Sequence, residues 1–129
     1  MYKKAITYED FEGNKVTEEL YFNMTETEVV ELEAKTPGGV EQFLKRSIDN
    51  NDTTQMFDFI KALILKSYGK KSDDNRRFLK SDEIRYDFEM SPAFSELFMQ
   101  LITSEDEAAT FMNRVIPKGK NPTAIPPKT

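Results

Sequence analysis

Lys15-Val16-Thr17-Glu18-Glu19-Leu20-Tyr21-Phe22-Asn23-Met24-Thr25-Glu26-Thr27-Glu28 holds the change of period on which the fold turns. Val16, Leu20 and Phe22 alternate with Thr17, Glu19 and Tyr21, the period-2 pattern of a strand with one face inward. Glu18 interrupts that apolar face, which suits an exposed or edge strand. Thr25-Glu26-Thr27-Glu28 then reads as a capping box, a Thr hydroxyl for an orphan N–H and a Glu three residues on that reaches back. Upstream, Ile6 and Tyr8 alternate with Ala5 and Thr7. Glu12-Gly13-Asn14-Lys15 supplies Gly and Asn where a tight turn needs positive φ. Residues 3–22 are therefore expected to form a β-hairpin. Alone it is marginal in water, so it must pack on helices or pair with another chain.

Helical signals follow. Val29, Val30 and Leu32 continue the first helix, and Thr36-Pro37-Gly38-Gly39 ends it. A second helix is expected from about Val40 to Asn50, burying Val40, Phe43, Leu44 and Ile48. Asn50-Asn51-Asp52-Thr53 is a break rich in cap residues. A third helix is expected from about Thr54 to Tyr68, with Gly69 placed to end it. Its wide apolar set (Met56, Phe57, Phe59, Ile60, Leu63, Ile64, Leu65) marks the central core helix. Gly69 to Arg77 reads as a polar loop of mixed charge, and Ser81 as the cap of a short helix through Phe88. Ser91-Pro92 is a strong start signal, followed by Phe94, Leu97, Phe98, Leu101 and Ile102 on one face. Ser104-Glu105-Asp106-Glu107 reads as another capping box, opening a helix with Ala108, Phe111, Met112 and Val115 inward. From Pro117 onward four prolines and no apolar periodicity predict a flexible tail. The expected fold is α+β and predominantly α. It is one domain over residues 1–116, with the hairpin at 3–22, about five to six helices in a body over 25–116, and a tail over 117–129.

Composition narrows the chemistry. The 129 residues include no Cys and no His. Without Cys there is no disulfide framework, thiolate metal site or thiol nucleophile. Without His the usual general base and commonest metal ligand are gone as well, which eliminates Ser-His-Asp and Cys-His triads. Carboxylate, Lys, Tyr and Arg chemistry survives. The chain carries 18 basic and 23 acidic residues. Because Lys118, Lys120 and Lys128 lie beyond Val115, the body is more acidic than the whole, and it repels phosphate backbones. Nucleic acid is not expected as a partner. No apolar h-region follows Met1, and no stretch approaches the roughly 18 apolar residues of a membrane span. The expected setting is a reducing cytoplasm, away from membranes.

Each candidate site has an ordinary reading beside it. Glu26, Glu28, Glu31 and Glu33 share one helix, and Glu105, Asp106 and Glu107 open another. Paired acids can serve a glycosidase or hold Mg²⁺, but acids in a first turn also simply offset the helix dipole. Lys70, Lys71, Arg76 and Arg77 lack the glycine spacing of a phosphate loop. Asp73-Asp74-Asn75 lacks the ligand spacing of a calcium loop. No catalytic, cofactor or metal residue is assigned. The apolar faces of the last two helices carry more. Phe94, Leu97, Phe98, Leu101, Phe111, Met112 and Val115 are candidate partner-binding residues, since aromatic and Met-rich grooves accept helical clients. Core packing is the ordinary role for most of them.

Read in order, the body resembles the tail assembly chaperones of long-tailed bacteriophages and prophages of Gram-positive bacteria. The resemblance rests on Lys3-Lys4-Ala5-Ile6-Thr7-Tyr8, Glu19-Leu20-Tyr21-Phe22-Asn23-Met24 and Thr36-Pro37-Gly38-Gly39. It rests further on Leu63-Ile64-Leu65-Lys66-Ser67-Tyr68-Gly69-Lys70-Lys71-Ser72, Arg77-Phe78-Leu79-Lys80-Ser81 and Ser95-Glu96-Leu97-Phe98-Met99. It implies a non-enzymatic protein that binds the tape measure protein, keeps it soluble and helps recruit tail tube subunits. Such a protein acts in the host cytoplasm and is absent from the mature virion. Many relatives are also made in a longer, frameshifted form, for which the tail would be the point of extension. The family transfers no catalytic residue. Two other readings stay open: a structural tail or connector subunit retained in the virion, using the hairpin edge between subunits, and a carboxylate enzyme with two acids converging in a pocket. Self-association is plausible, though no heptad specifies it.

Overall fold

The structure, a computed structural model, describes residues 1–116; the predicted tail lies outside the described residues. β1 (Tyr2–Glu9) and β2 (Lys15–Phe22) form the expected antiparallel hairpin, with Tyr2 opposite Phe22 and Glu9 opposite Lys15. Ile6, Leu20 and Phe22 are buried on its inner face, while Lys3, Ala5, Thr7 and Glu9 are exposed on the outer one. Glu18 stands opposite Ile6 and accepts a 2.8 Å hydrogen bond from the Tyr8 hydroxyl. The polar break in the stripe is thus satisfied at the rim of the sheet. In the turn, Gly13 takes the positive φ, +86°. Asn14 does not; the Asp10 carboxylate instead accepts from the N–H groups of Glu12 and Asn14.

The capping box closes on both sides. Thr25 Oγ1 accepts from the Glu28 N–H at 3.2 Å, and Glu28 Oε1 accepts from the Thr25 N–H at 2.8 Å, starting α1 (Glu26–Lys35). α2 (Val40–Asp49) buries Val40 and half-buries Phe43 and Leu44, but Ile48 is 62% exposed and Ser47 is buried instead. The reason is helical drift: eight residues turn about 80° past whole turns, whereas seven fall about 20° short. The position after Val40's line is therefore held by Ser47, and Ile48 rotates off it.

α3 (Thr53–Ser67) is capped by Asp52 and ends one residue earlier than expected. The segment after it is not a loop. β3 (Tyr68–Lys71) pairs antiparallel with β2 and β4 (Phe78–Leu79) with β3, making a four-stranded sheet in the order β1-β2-β3-β4. Gly69 therefore does not end a helix. It sits in β3, where a Cβ would lie 2.8 Å from the Leu79 carbonyl oxygen. Ser72 organises the connecting turn: its N–H donates to the Arg77 carbonyl, and its hydroxyl accepts from the Arg77 N–H and donates to Asp74 at 2.6 Å.

α4 (Asp82–Glu89), α5 (Pro92–Thr103) and α6 (Glu105–Val115) begin where their caps Ser81, Ser91 and Ser104 place them. At α6 the Ser104 hydroxyl accepts from the Glu107 N–H, but the Glu107 carboxylate turns to Lys4 Nζ, 3.2 Å away, instead of reaching back to the cap. Half of that predicted capping box therefore becomes a tie to β1. α5 and α6 pack against β1, α3 and α4 against α5, and α2 against α3. Phe22 is the centre of the core, with edge-to-face rings from Phe111 at 5.0 Å, Tyr68 at 5.8 Å and Phe88 at 6.2 Å. Tyr68 and Phe88 stack at 3.9 Å. Such pairs contribute about 0.5–1.5 kcal/mol each beyond area burial. Among the described residues no helix is long and apolar enough to cross a membrane.

Candidate partner-binding groove

The seven apolar residues singled out on the last two helices divide by depth. Phe94, Leu97, Leu101, Phe111 and Val115 are buried in the core, while Phe98 and Met112 reach partway to the surface. The helical stripe explains the division, because its centre line meets the sheet and α3 while its flanks meet solvent. Phe98 stacks on Phe94 and receives the edge of the half-exposed Phe57 from α3.

Leu101, Phe111 and Met112 also line a groove between the two helical pairs. Its other walls are Leu44 and Ile48 of α2, Met56, Phe59, Ile60 and Leu63 of α3, and Ala108 and Ala109 of α6. Every lining side chain is apolar, and the groove encloses about 210 Å³. It is smaller than the usual small-molecule pocket of roughly 300–1,000 Å³. A few side chains of a docked helix, set at i, i+3 and i+4, fit such a space. Ala108 and Ala109 keep the α6 wall low, and Ile48 stands at the mouth. Sequence reading missed Ile48 and Ala109 as site residues, since Ile48 counted as core and Ala109 carries no chemistry. The available signal was the surplus of apolar positions on α3, more than one helix face can bury.

A second, wider cleft of about 430 Å³ is lined by Glu28, Lys66, Tyr68, Lys80 and Arg85 among others. Lys80 is fully engaged there. Its ammonium donates to both Glu28 oxygens at 2.9 and 2.8 Å and to the carbonyls of Asn23 and Lys66 at 2.8 Å each. It thereby ties the end of β2, the start of α1 and the end of α3 to the β4–α4 junction. Burial pushes the Lys80 ammonium below its usual value, even against the pull of Glu28. Burial alone would raise the Glu28 carboxyl, but the Lys80 bonds and the Thr25 N–H together hold it below the usual carboxylate value. Among the described residues Glu28 is the one carboxylate lining this cleft, so the paired-acid arrangement that a glycosidase needs is not assembled by them there. Among the described residues no three acids gather as a metal site.

Comparison with known proteins supplies the context for these features. No curated protein and no solved structure matches the chain. The profile of the family described as phage tail assembly chaperone matches residues 1–121, the hairpin, the groove and the Lys80 junction included. With nearly the whole length covered, this chain belongs to the phage tail assembly chaperone family, and its general role is that of a chaperone in tail morphogenesis.

Proposed function

We propose that the chain binds the tape measure protein, holds apolar helical segments of it in the α2–α3–α6 groove, and so keeps it soluble until tail tube subunits are recruited around it. The observation that carries this reading is the groove itself: an open recess lined by apolar side chains alone. A long, helix-rich client offers periodic apolar side chains to such a recess, and an acidic body keeps the pair from aggregating. The residues of the candidate set that serve it are Leu101, Phe111 and Met112, with Ile48 and Ala109 at its mouth. The proposed setting is the cytoplasm of the bacterial host, with release before the virion is complete.

Co-expression with the tape measure protein tests the reading. The client is expected to move from the pelleted to the soluble fraction and to co-elute with this chain, and Ile48→Lys should abolish both effects. An insoluble client beside the wild-type chain would count against it. Mass spectrometry of purified particles tests the release step, because a retained structural subunit would be present in stoichiometric amount.

A further inference from the structure

Among the described residues the outer edge of β1 is unpaired. β1 hydrogen-bonds along one side only, to β2. The phase of the ladder is set by its ends: the Asp10 N–H donates to the Asn14 carbonyl at 2.8 Å, and the Asn23 N–H donates to Ser67 on the β3 side at 2.8 Å. Bonded pairs alternate in an antiparallel ladder. Tyr2, Lys4, Ile6 and Tyr8 therefore turn their N–H and C=O groups toward β2, while those of Lys3, Ala5, Thr7 and Glu9 point outward. No backbone hydrogen bond from another described segment reaches them. The side chains of these four residues are exposed. Over its eight residues β1 carries no proline, one of the devices that usually blunt a free edge. Its lysines are the one such device it does carry.

We infer that this edge pairs with β1 of a second copy of the chain, antiparallel about a two-fold axis through Ile6. The phase of the free groups requires outward residues to face outward residues. Centring on Ile6 satisfies that requirement and uses the strand from Lys3 to Glu9. It sets Lys3 opposite Glu9 of the second copy at both ends, and Ala5 opposite Thr7 between them. Lys3 already leans toward Glu19 of its own hairpin, 3.7 Å away, so it stands between two acids in the pair. The edge lysine, which would repel an arbitrary strand, is thereby matched by charge in this register alone. The same register brings the start of the chain beside the hairpin turn of the second copy. This places Met1, 63% exposed, near the turn that carries Phe11, 89% exposed. The two sheets join into one, with both helical layers on the same side.

Sedimentation equilibrium of the full chain tests this. A reversible dimer is expected. Lys3→Glu and Glu9→Lys should each weaken it about tenfold, since each replaces two opposite-charge pairs with like-charge ones. The double exchange Lys3→Glu/Glu9→Lys should restore wild-type affinity. Thr7→Pro removes an outward N–H, keeps every backbone bond of the β1–β2 ladder and loses the Thr7–Thr17 hydroxyl contact at 2.8 Å; it should leave a monomer with an unchanged circular dichroism spectrum. If that variant does not fold, the charge exchange still decides. A monomer at every concentration reached, a dimer indifferent to the single reversals, or a double exchange that fails to restore it would overturn the inference. So would hydrogen-exchange protection of β1 that appears only on adding tape measure protein, because the edge would then belong to the client.

Discussion

Two apolar regions of this protein are built from the same kinds of residue and end in opposite states. Under the sheet, Phe22, Tyr68, Phe88 and Phe111 close ring against ring and are buried. Between α2, α3 and α6, the side chains of Leu44, Ile60, Met112 and their neighbours meet around an open recess, with Ile48 standing out of it. The difference is closure. Pairing of β3 with β2 draws Tyr68 onto Phe22 and Phe88, whereas no element of the described chain covers the groove. Composition alone does not separate the part that holds the fold from the part free to hold a client; the completeness of packing does.

By that contrast Phe22→Ala is the most damaging single change, with about 3–5 kcal/mol lost in denaturant unfolding. A loss below about 1 kcal/mol would mean the cluster relaxes around the void and is not the centre of the core. Gly69→Ala comes next. The new methyl group meets the Leu79 carbonyl and the Phe78 ring, and overpacking of this kind costs about 1–3 kcal/mol. A melting temperature equal to wild type would show that β4 yields freely.

Lys80→Met should cost about 2 kcal/mol, as two carbonyls and the Glu28 carboxylate lose their shared donor. The pH dependence follows from Glu28. Its folded pKa lies below the ordinary carboxylate value, so its contribution is present in full above that ordinary value and fades as pH falls through the lowered one. Glu28→Gln should therefore flatten the acid limb of the stability profile while leaving its slope near neutral pH unchanged. An acid limb as steep as that of wild type would place the linkage elsewhere. Smallest in stability is Ile48→Lys, within about 0.5 kcal/mol because the side chain is exposed and a cation suits the last turn of a helix. Its effect belongs to client solubility.

The sequence made the same division only in part. Thr25–Glu28, Ser81, Ser91-Pro92 and Ser104 act through nearest-neighbour chemistry, and each helix they announce is present. The hairpin register follows from its own alternation. Tyr68–Lys71 was illegible because a short strand with two lysines and a glycine has no pattern of its own. It becomes a strand when β2 offers it an edge, and Gly69 is needed there for the approach of β4, a contact distant from any local rule. The Lys80 junction joins residues 57, 52 and 14 positions away in the chain, and no spacing announces it. In the groove, Leu101, Phe111 and Met112 were readable as apolar stripe. That they line a recess depends on the small Ala108 and Ala109 and on where α2 ends.

Hydrogen exchange of the chain with and without the tape measure protein distinguishes the open groove from the closed core as the seat of the client. Slower exchange confined to the end of α2, the middle of α3 and the first turns of α6 is the expected result, with the amides around Phe22 unchanged. Protection that avoids these helices, or an equal effect in the Ile48→Lys/Ala109→Lys variant, would contradict it.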